Sequence, residues 1–545
     1  MIDERLLQAG LQAMQDGNLP VAEQVFSQLV AQEPRMHQAW NMLAIIATMS
    51  GMPDVGLQRS RQALSMDRRN PNYLNTLAVS LGELGQLDEA KAALQKALRE
   101  KPTYAEAHYN LGKTLFKMED LKAASVSYGR AHALKPDYPG LLFNWAYTKR
   151  MLKDYAGAKQ LLQELLAREP NDADAMVQLC EVESQGLGDA VLQQYLENFV
   201  HQHPDFSPIR EKLGCHLLLM GQFSLGWSEY WYRMTLPQSV RDARHHAGVP
   251  YLPPSLSGQS VLVRAEQGLG DVLFFLRFAP QLRQRGARVL VEVQNKLLPL
   301  VREQPFVDEW LVQDAGASGA LHSQQVPDHV VWAGDLALLL RDDTTPSALP
   351  LKPDPVLLEK CRARLAGFGP GPYLGLTWRA GTDSSRAAEF DARLNPNRSL
   401  RKVVPVGEFA RAVSAWSGSF VSLQREPYPE EMAVMQSALP RPMLDLSDLN
   451  DDLPAMLAVL ACLDDYAGVS NTNVHLRAGL SLGGRILLPA REFRWMSQGD
   501  ESPWFHGWKI YRKQEQEGWA PPMEALTHDL HANSAAEFLN RPGHE

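Results

Sequence analysis

What this sequence has little of narrows its function first. It holds no apolar stretch near the roughly 20 residues that a membrane-crossing helix needs, so no membrane span is expected. Only four cysteines occur in 545 residues, Cys180, Cys215, Cys361 and Cys462. They are dispersed, with no CxxC pair and no histidine at metal-ligand spacing, which argues against a disulfide framework or a zinc site. They read as reduced, mostly buried thiols. Basic charge is also short: 54 Lys and Arg stand against 63 Asp and Glu, a net charge of -9. Phosphate neutralisation along nucleic acid needs a clustered cationic surface, and a nucleic-acid partner is therefore not expected. A basic-then-apolar leader is missing as well. The opening "MIDERLLQAGLQAM" carries acids within its first four positions and enters a helical pattern, so the expected location is cytoplasmic.

What is present begins with a repeat. Pro102, Pro136, Pro170 and Pro204 follow one another at intervals of 34 residues, and two steps back from Pro102 lie Arg68 and Pro34. With each Pro at position 32 of a unit, position 8 reads Gly10, Ala44, Ala78, Gly112, Ala146, Cys180 and Gly214. Position 20 reads Ala22, Gly56, Ala90, Ala124, Ala158, Leu192 and Gly226. Small residues at fixed places let two helices cross closely. Bulky residues recur at position 7 (Leu77, Leu111, Trp145) and position 24 (Phe26, Leu94, Tyr128, Leu162), the apolar faces of a helical hairpin. The sixth unit departs, with Leu192 at a small-residue position and "ESQGLGDAVLQQ" in its turn.

These positions resemble the tetratricopeptide repeat over about residues 3 to 237. The resemblance implies stacked helix pairs whose inner face binds a peptide or protein. Asn41, Asn75, Asn110 and Asn144 lie near positions 5 and 6, where an amide can grip a peptide backbone or simply serve the repeat itself.

Beyond the Pro/Gly-rich passage "RHHAGVPYLPPSLSGQ" the pattern turns to strand and helix in alternation. "SVLVRAEQ" reads as a strand, "DVLFFLRFAPQLRQRG" as a helix, "ARVLVEV" as a strand and "NKLLPLVREQP" as a helix. A second series follows: strand "PYLGLTWRAG", helix "VGEFARAVSAW", strand "SFVSLQ", helix "DLPAMLAVLACL", strand "DDYAGVS", helix "TNVHLRAGLSLG" and, as the last strand, "GRILLP". Two parallel sheets in tandem are expected, with ligands at the carboxyl edges of their strands. The turn "EQGLGD" joins a strand to a helix, so Gly268 and Gly270 can let the backbone approach a ligand. It is no dinucleotide fingerprint, because the third glycine of GxGxxG is missing. The same four letters "GLGD" recur at Gly186 to Asp189 with no preceding strand, so the tetrapeptide alone carries nothing.

Together, "AEQGLGDVLFFLRFAPQL", "YLGLTWRAG" with "NRSLRKVVPVGEF", "FVSLQ", "DDYAGVSNTNVHLRAGL" and "SPWFHGWKIYR" resemble the heptosyltransferase-like GT-B glycosyltransferases over about residues 258 to 530. The expected fold is an α superhelix followed by an α/β GT-B pair of Rossmann-like domains: repeats 1–240, linker 241–257, an acceptor-side domain 258–366 and a nucleotide-sugar domain 367–545. The resemblance makes Asp271 the candidate general base. The competing reading is a cap for a helix starting at Val272. It implies donor contacts from Arg379 and Lys402, with Arg398 and Arg401 between phosphate contact and solvated surface. Gln424 is a candidate nucleotide or sugar contact. "SNTNVHL" stands where the family carries DTxxxHL, so Ser470, Asn471, Thr472, Asn473 and His475 are candidate donor contacts; Asn471 replaces the family's acid and the spacing is one residue shorter. Trp495, Trp504 and Phe505 are read as core or as stacking partners, and Asp451 and Asp452 as caps for the helix from Leu453.

The implied activity is metal-independent transfer of a sugar from a nucleotide-activated donor to Ser/Thr hydroxyls of a protein recruited by the repeats, with flagellin the leading acceptor and no cofactor. The plan is similar to that of the eukaryotic O-GlcNAc transferase, whose catalytic motifs differ. Other readings stay open: a catalytically silent scaffold with a nucleotide-sugar-binding module, transfer to a glycan or lipid acceptor, and nucleotide-sugar epimerisation.

Overall fold

A computed structural model of the protein describes residues 4–313, 326–380, 402–514 and 517–536. Two compact units emerge, dividing between Leu187 and Gly188.

The first unit is a run of antiparallel helix pairs, such as Pro71–Glu83 with Leu87–Glu100, Ala105–Lys117 with Leu121–Leu134, and Leu141–Met151 with Tyr155–Arg168. Each 34-residue proline falls just past a second helix, where it cannot continue the turn. The small positions lie at the crossings: Ala22, Ala44, Ala90, Ala124 and Ala158 are fully buried. A Cβ on Gly112 would sit 2.6 Å from the Tyr128 ring, itself the buried bulky residue of the same pair. Asp120, Asp154 and Asp172 cap helix starts through Ala123, Gly157 and Ala175 NH groups.

The second unit holds two parallel sheets. The first comprises β1 (Ser260–Arg264), β2 (Arg288–Val293), β3 (Glu309–Val312) and β4 (His329–Trp332), in the order β3-β2-β1-β4. The second comprises β5 (Tyr373–Thr377), β6 (Ser419–Ser422), β7 (Met443–Asp445), β8 (Asp465–Val469), β9 (Gly484–Leu488) and β10 (Trp508–Arg512), in the order β10-β9-β8-β5-β6-β7. Every named strand pair is parallel. In each sheet the chain runs outward from the starting strand to one side, then returns to build the other. That reversal makes a switch point between β1 and β4, and another between β5 and β8.

Three features depart from the sequence expectation. "GRILLP" is β9 and not the last strand, since "WKIYR" adds β10 beside it. The helix expected over "DVLFFLRFAPQLRQRG" is broken into Leu269–Phe275, a 3-10 turn and Pro280–Gln284. Finally, the compact boundary is not at 240. The helices Ser207–Leu219 and Phe223–Tyr230 of the last repeat pack with the sheets, and Leu218, Trp227, Tyr230 and Trp231 share one core with Val263, Phe275 and Phe493. Nor is 241–257 a free linker. Leu256 is fully buried, the Leu252 NH donates to the Leu339 carbonyl, and Arg244 pairs with Asp335 at 2.5 Å. Arg233, fully buried, bridges Glu266 (2.6 Å) just after β1 and Asp335 (2.5 Å) just after β4.

Candidate functional site

Switch points gather loop ends from strands that are neighbours in space but distant in sequence. At the second sheet, the loop leaving β5 brings Trp378 and Arg379, and the loop leaving β8 brings Ser470 and Asn471. At the first sheet, the loop leaving β1 carries Gly268 to Asp271. Leu269–Phe275, which follows β1, packs against Thr472–Gly479, which follows β8. The two carboxyl edges therefore meet.

A charged network crosses that meeting point. The Asp271 carboxylate accepts from Arg494 Nη2. Arg494 Nη1 donates to Glu492 Oε1 at 2.9 Å, and Ser470 Oγ donates to the same oxygen at 3.1 Å. Lys402 Nζ stands 3.0 Å from Glu492 Oε2 and 3.4 Å from Ser470 Oγ. Burial alone would raise the Glu492 pKa, but Lys402 and Arg494 together outweigh it and hold the carboxylate below its ordinary value. Burial likewise disfavours the Arg494 charge, and Asp271 and Glu492 more than restore it. Arg277, also buried, has no carboxylate partner among the described residues. It donates to the carbonyls of Phe274, Pro346 and Trp504. Burial, then Arg494, push its pKa down to about 9. Among the described residues of this network, three cations thus stand with two carboxylates.

The expected site residues fall into two groups. Asp271, Lys402 and Ser470 belong to the network. Asp271 is no cap: its helix begins at Leu269 with Gly268 as the capping position, and the carboxylate goes to Arg494. The others have their side chains engaged locally. Gln424, fully buried, accepts from the Trp378 and Arg379 NH groups (2.9 and 3.0 Å) and donates to the Arg425 carbonyl. Arg379 pairs with Glu431 at 3.0 Å and lies over Tyr428. Asn471 is the N-cap of Thr472–Gly479, accepting from the Asn473 NH at 3.0 Å and donating to Thr377 Oγ1 at 3.0 Å. Thr472 is half-buried and Asn473 buried in that first turn. His475 is buried against the Gly270 backbone, where a Cβ would meet its ring at 2.7 Å. Gly270 therefore serves helix contact, a use that its place in the turn does not reveal. Desolvation, then Arg494, Arg277 and Lys402, hold the His475 pKa well below its ordinary value, so the ring is neutral.

Trp495, Trp504 and Phe505 are core, with Trp495 stacked on Phe505 at 4.6 Å. Asp452 caps Leu453–Cys462 through the Ala455 NH, while Asp451 pairs with Lys296 at 2.8 Å. Arg398 and Arg401 lie outside the described residues. Glu492, Arg494 and Arg277 were missed by sequence reasoning. The available signal for Glu492 and Arg494 was "REFR", separated by two residues from the end of β9, at the same sheet edge as the other candidates. The "GLGD" at Gly186 also proves less idle than its sequence context indicated. Asp189 pairs at 2.5 Å with Arg491, three residues before the arginine that holds Asp271.

In the repeats, Asn75 Nδ2 donates to Glu106 Oε1 and its Oδ1 accepts from Asn110 Nδ2, both at 2.9 Å. Asn144 donates to the Tyr109 hydroxyl at 2.7 Å. These amides tie one repeat to the next. Asn41 is buried, and its Oδ1 has no hydrogen-bond partner among the described residues.

No helix of the described residues is long and apolar enough to cross a membrane. Among the same residues there is no His/Cys/Asp/Glu cluster fit to hold a metal.

Residues 7–54, 105–138 and 141–172 match families described as Tetratricopeptide repeat, and 80–119 one described as TPR repeat. Among solved structures, the thermophilic TPR protein TTC0263 of Thermus thermophilus is 21% identical with a TM-score of 0.30, covering 33% of this chain and 97% of its own. Pseudomonas aeruginosa pilF is 21% identical with a TM-score of 0.32, covering 37% and 91%. Protein FlbA of Caulobacter vibrioides (strain ATCC 19089 / CIP 103742 / CB 15) is 24% identical over 573 residues, spanning 95% of this chain and 88% of FlbA, so the likeness runs through repeats and sheets alike. The chain carries tetratricopeptide repeats within residues 7–172, holds a parallel-sheet α/β unit beyond them, and is similar along nearly its whole length to Protein FlbA.

Proposed function

We propose that the protein is a glycosyltransferase of GT-B type that moves a sugar from a nucleotide-activated donor to a Ser/Thr hydroxyl of a protein held by its repeats. In the proposed reaction the acceptor oxygen attacks the anomeric carbon, and its proton passes to Asp271. The anomeric carbon–oxygen bond to phosphate breaks, and the nucleotide leaves with the electron pair, stabilised by the surrounding cations. The observation that carries this reading is the network itself: a carboxylate from the first sheet's edge meets Lys402, Ser470, Glu492 and Arg494 from the second sheet's side. A base and a phosphate cradle in contact are what metal-independent transfer requires.

A second reading, a silent nucleotide-sugar-binding module on a repeat scaffold, draws on Asn471 and Gln424, whose amides are spent on local backbone and side-chain partners. One experiment tests both readings and a second separates them. Thermal unfolding with UDP, GDP, ADP and CMP should show stabilisation by one of the four; no response to any would sink both readings. Intact-mass measurement of flagellin, the acceptor we propose, should show a sugar added by the wild type and none by Asp271→Asn, which should still bind nucleotide. Undiminished transfer by that variant would remove Asp271 as the base.

A further inference from the structure

Asp271 is a curious candidate base, because it is already engaged. Its partner Arg494 is buried and anchored on the other side by Glu492. The ring centroids of Phe274 and Phe493 each lie 4.8 Å from the guanidinium carbon. Its Nε is buried with no hydrogen-bond partner among the described residues. The Asp271 oxygen that pairs with Arg494 is not available to an acceptor proton while the pair holds. Among the described residues of the network, Arg494, Lys402 and Arg277 outnumber Asp271 and Glu492, and His475 between them is neutral. An added anion completes that balance. A phosphate is a stronger bidentate partner for a guanidinium than a single carboxylate oxygen.

We propose that Arg494 is a positioning residue that keeps Asp271 paired until a donor phosphate competes for the guanidinium, so that the base is released only when the donor is bound. This rests on the transferase reading above and adds to it an order of events. Glu492 stays as the fixed anchor, with Lys402 on its other oxygen and Ser470 on the oxygen that Arg494 also uses. Asp271 alone is exchangeable: its carboxyl is one-third exposed, whereas that of Glu492 is almost wholly buried. Competition of this kind has a thermodynamic signature that a merely structural ion pair lacks. Removing the competitor must tighten the ligand.

The experiment is a double-mutant cycle read by calorimetric nucleotide binding, using whichever of UDP, GDP, ADP or CMP the full-length wild type binds best. Asp271→Asn, nearly isosteric, should lower Kd at least about fivefold, the lower end of typical site-to-site coupling. Arg494→Lys keeps a cation but loses the planar fork that pairs bidentately with a phosphate; it should weaken binding, and in that background Asp271→Asn should change Kd little. Thermal melts of all three variants check that they are folded. Unchanged or weaker binding by a folded Asp271→Asn overturns the gating while leaving a nucleotide-binding transferase standing. Failure of the wild type to bind any of the four overturns both.

Discussion

At His475 a neutral ring sits where Arg494, Arg277 and Lys402 converge, and burial adds to their effect. A charge there would be opposed on every side, so folding keeps the proton off. In the unfolded chain the same ring titrates near 6.5. Above that pH both states are neutral and the site costs nothing; below it the unfolded state takes a proton that the folded state refuses. Stability should therefore fall as pH drops below about 6.5, by up to about 1.4 kcal/mol per pH unit for this group. His475→Leu removes the titration, so urea unfolding of the two proteins between pH 7 and 5 should show the wild type losing more. Parallel losses would mean that His475 is protonated in the fold. The residue scale also shows where sequence reading reaches its limit. Asp452 as a cap was legible because its partner, Ala455, lies three residues away. The partner of Asp271 lies 223 residues away, and no local spacing encodes it. Gln424 and Asn471 were legible as polar residues at strand ends, but such residues serve backbone and ligand equally well, and sequence does not say which.

At the scale of elements, the contact between Leu269–Phe275 and Thr472–Gly479 depends on one missing methyl group. A Cβ at Gly270 would lie 2.7 Å from His475 Cδ2 and 3.1 Å from Nε2. Forced overpacking costs about 1–3 kcal/mol, and the better helix propensity of alanine returns at most about 1 kcal/mol, so Gly270→Ala should destabilise. With His475→Ala in the background the ring is gone and the cost should shrink, giving a coupling of at least about 0.5 kcal/mol in a denaturation cycle. Strict additivity would show that the collision is relieved elsewhere. The central strands were readable because they are short apolar runs: all of β9 is buried, as are the middles of β1 and β8. The edges were not. β7 is three residues long after Pro442, and β10 ("WKIYR") carries the exposed Lys509 among buried residues, as a strand paired on one side permits. The helix Pro429–Ala438 escaped notice too, its Glu431 closing a capping turn back onto the Tyr428 NH.

At the scale of the molecule, repeat periodicity and compactness give different boundaries, and the difference decides which fragments fold. The 34-residue rhythm runs on to about 237, yet the structural division comes at 187, because the last repeat carries side chains that the sheets need. Trp227 and Tyr230 are almost fully buried, and Trp227 sits edge-on to Phe275, Phe278 and Phe493. Removing one such buried aromatic costs about 3–5 kcal/mol. Losing Arg233 would also leave Glu266 buried without its cation, Asp335 keeping only Arg244, a change of about 3–5 kcal/mol. Together these losses rival the roughly 5–15 kcal/mol that holds a typical domain folded. A fragment of residues 188–545 should therefore melt cooperatively and keep nucleotide binding, whereas one of residues 241–545, cut where the repeats end by sequence, should show no cooperative transition in circular dichroism or tryptophan fluorescence. A cooperative melt from the shorter fragment at the same temperature would mean that the last helical pair only leans on the sheets and that the repeat boundary is the folding boundary after all.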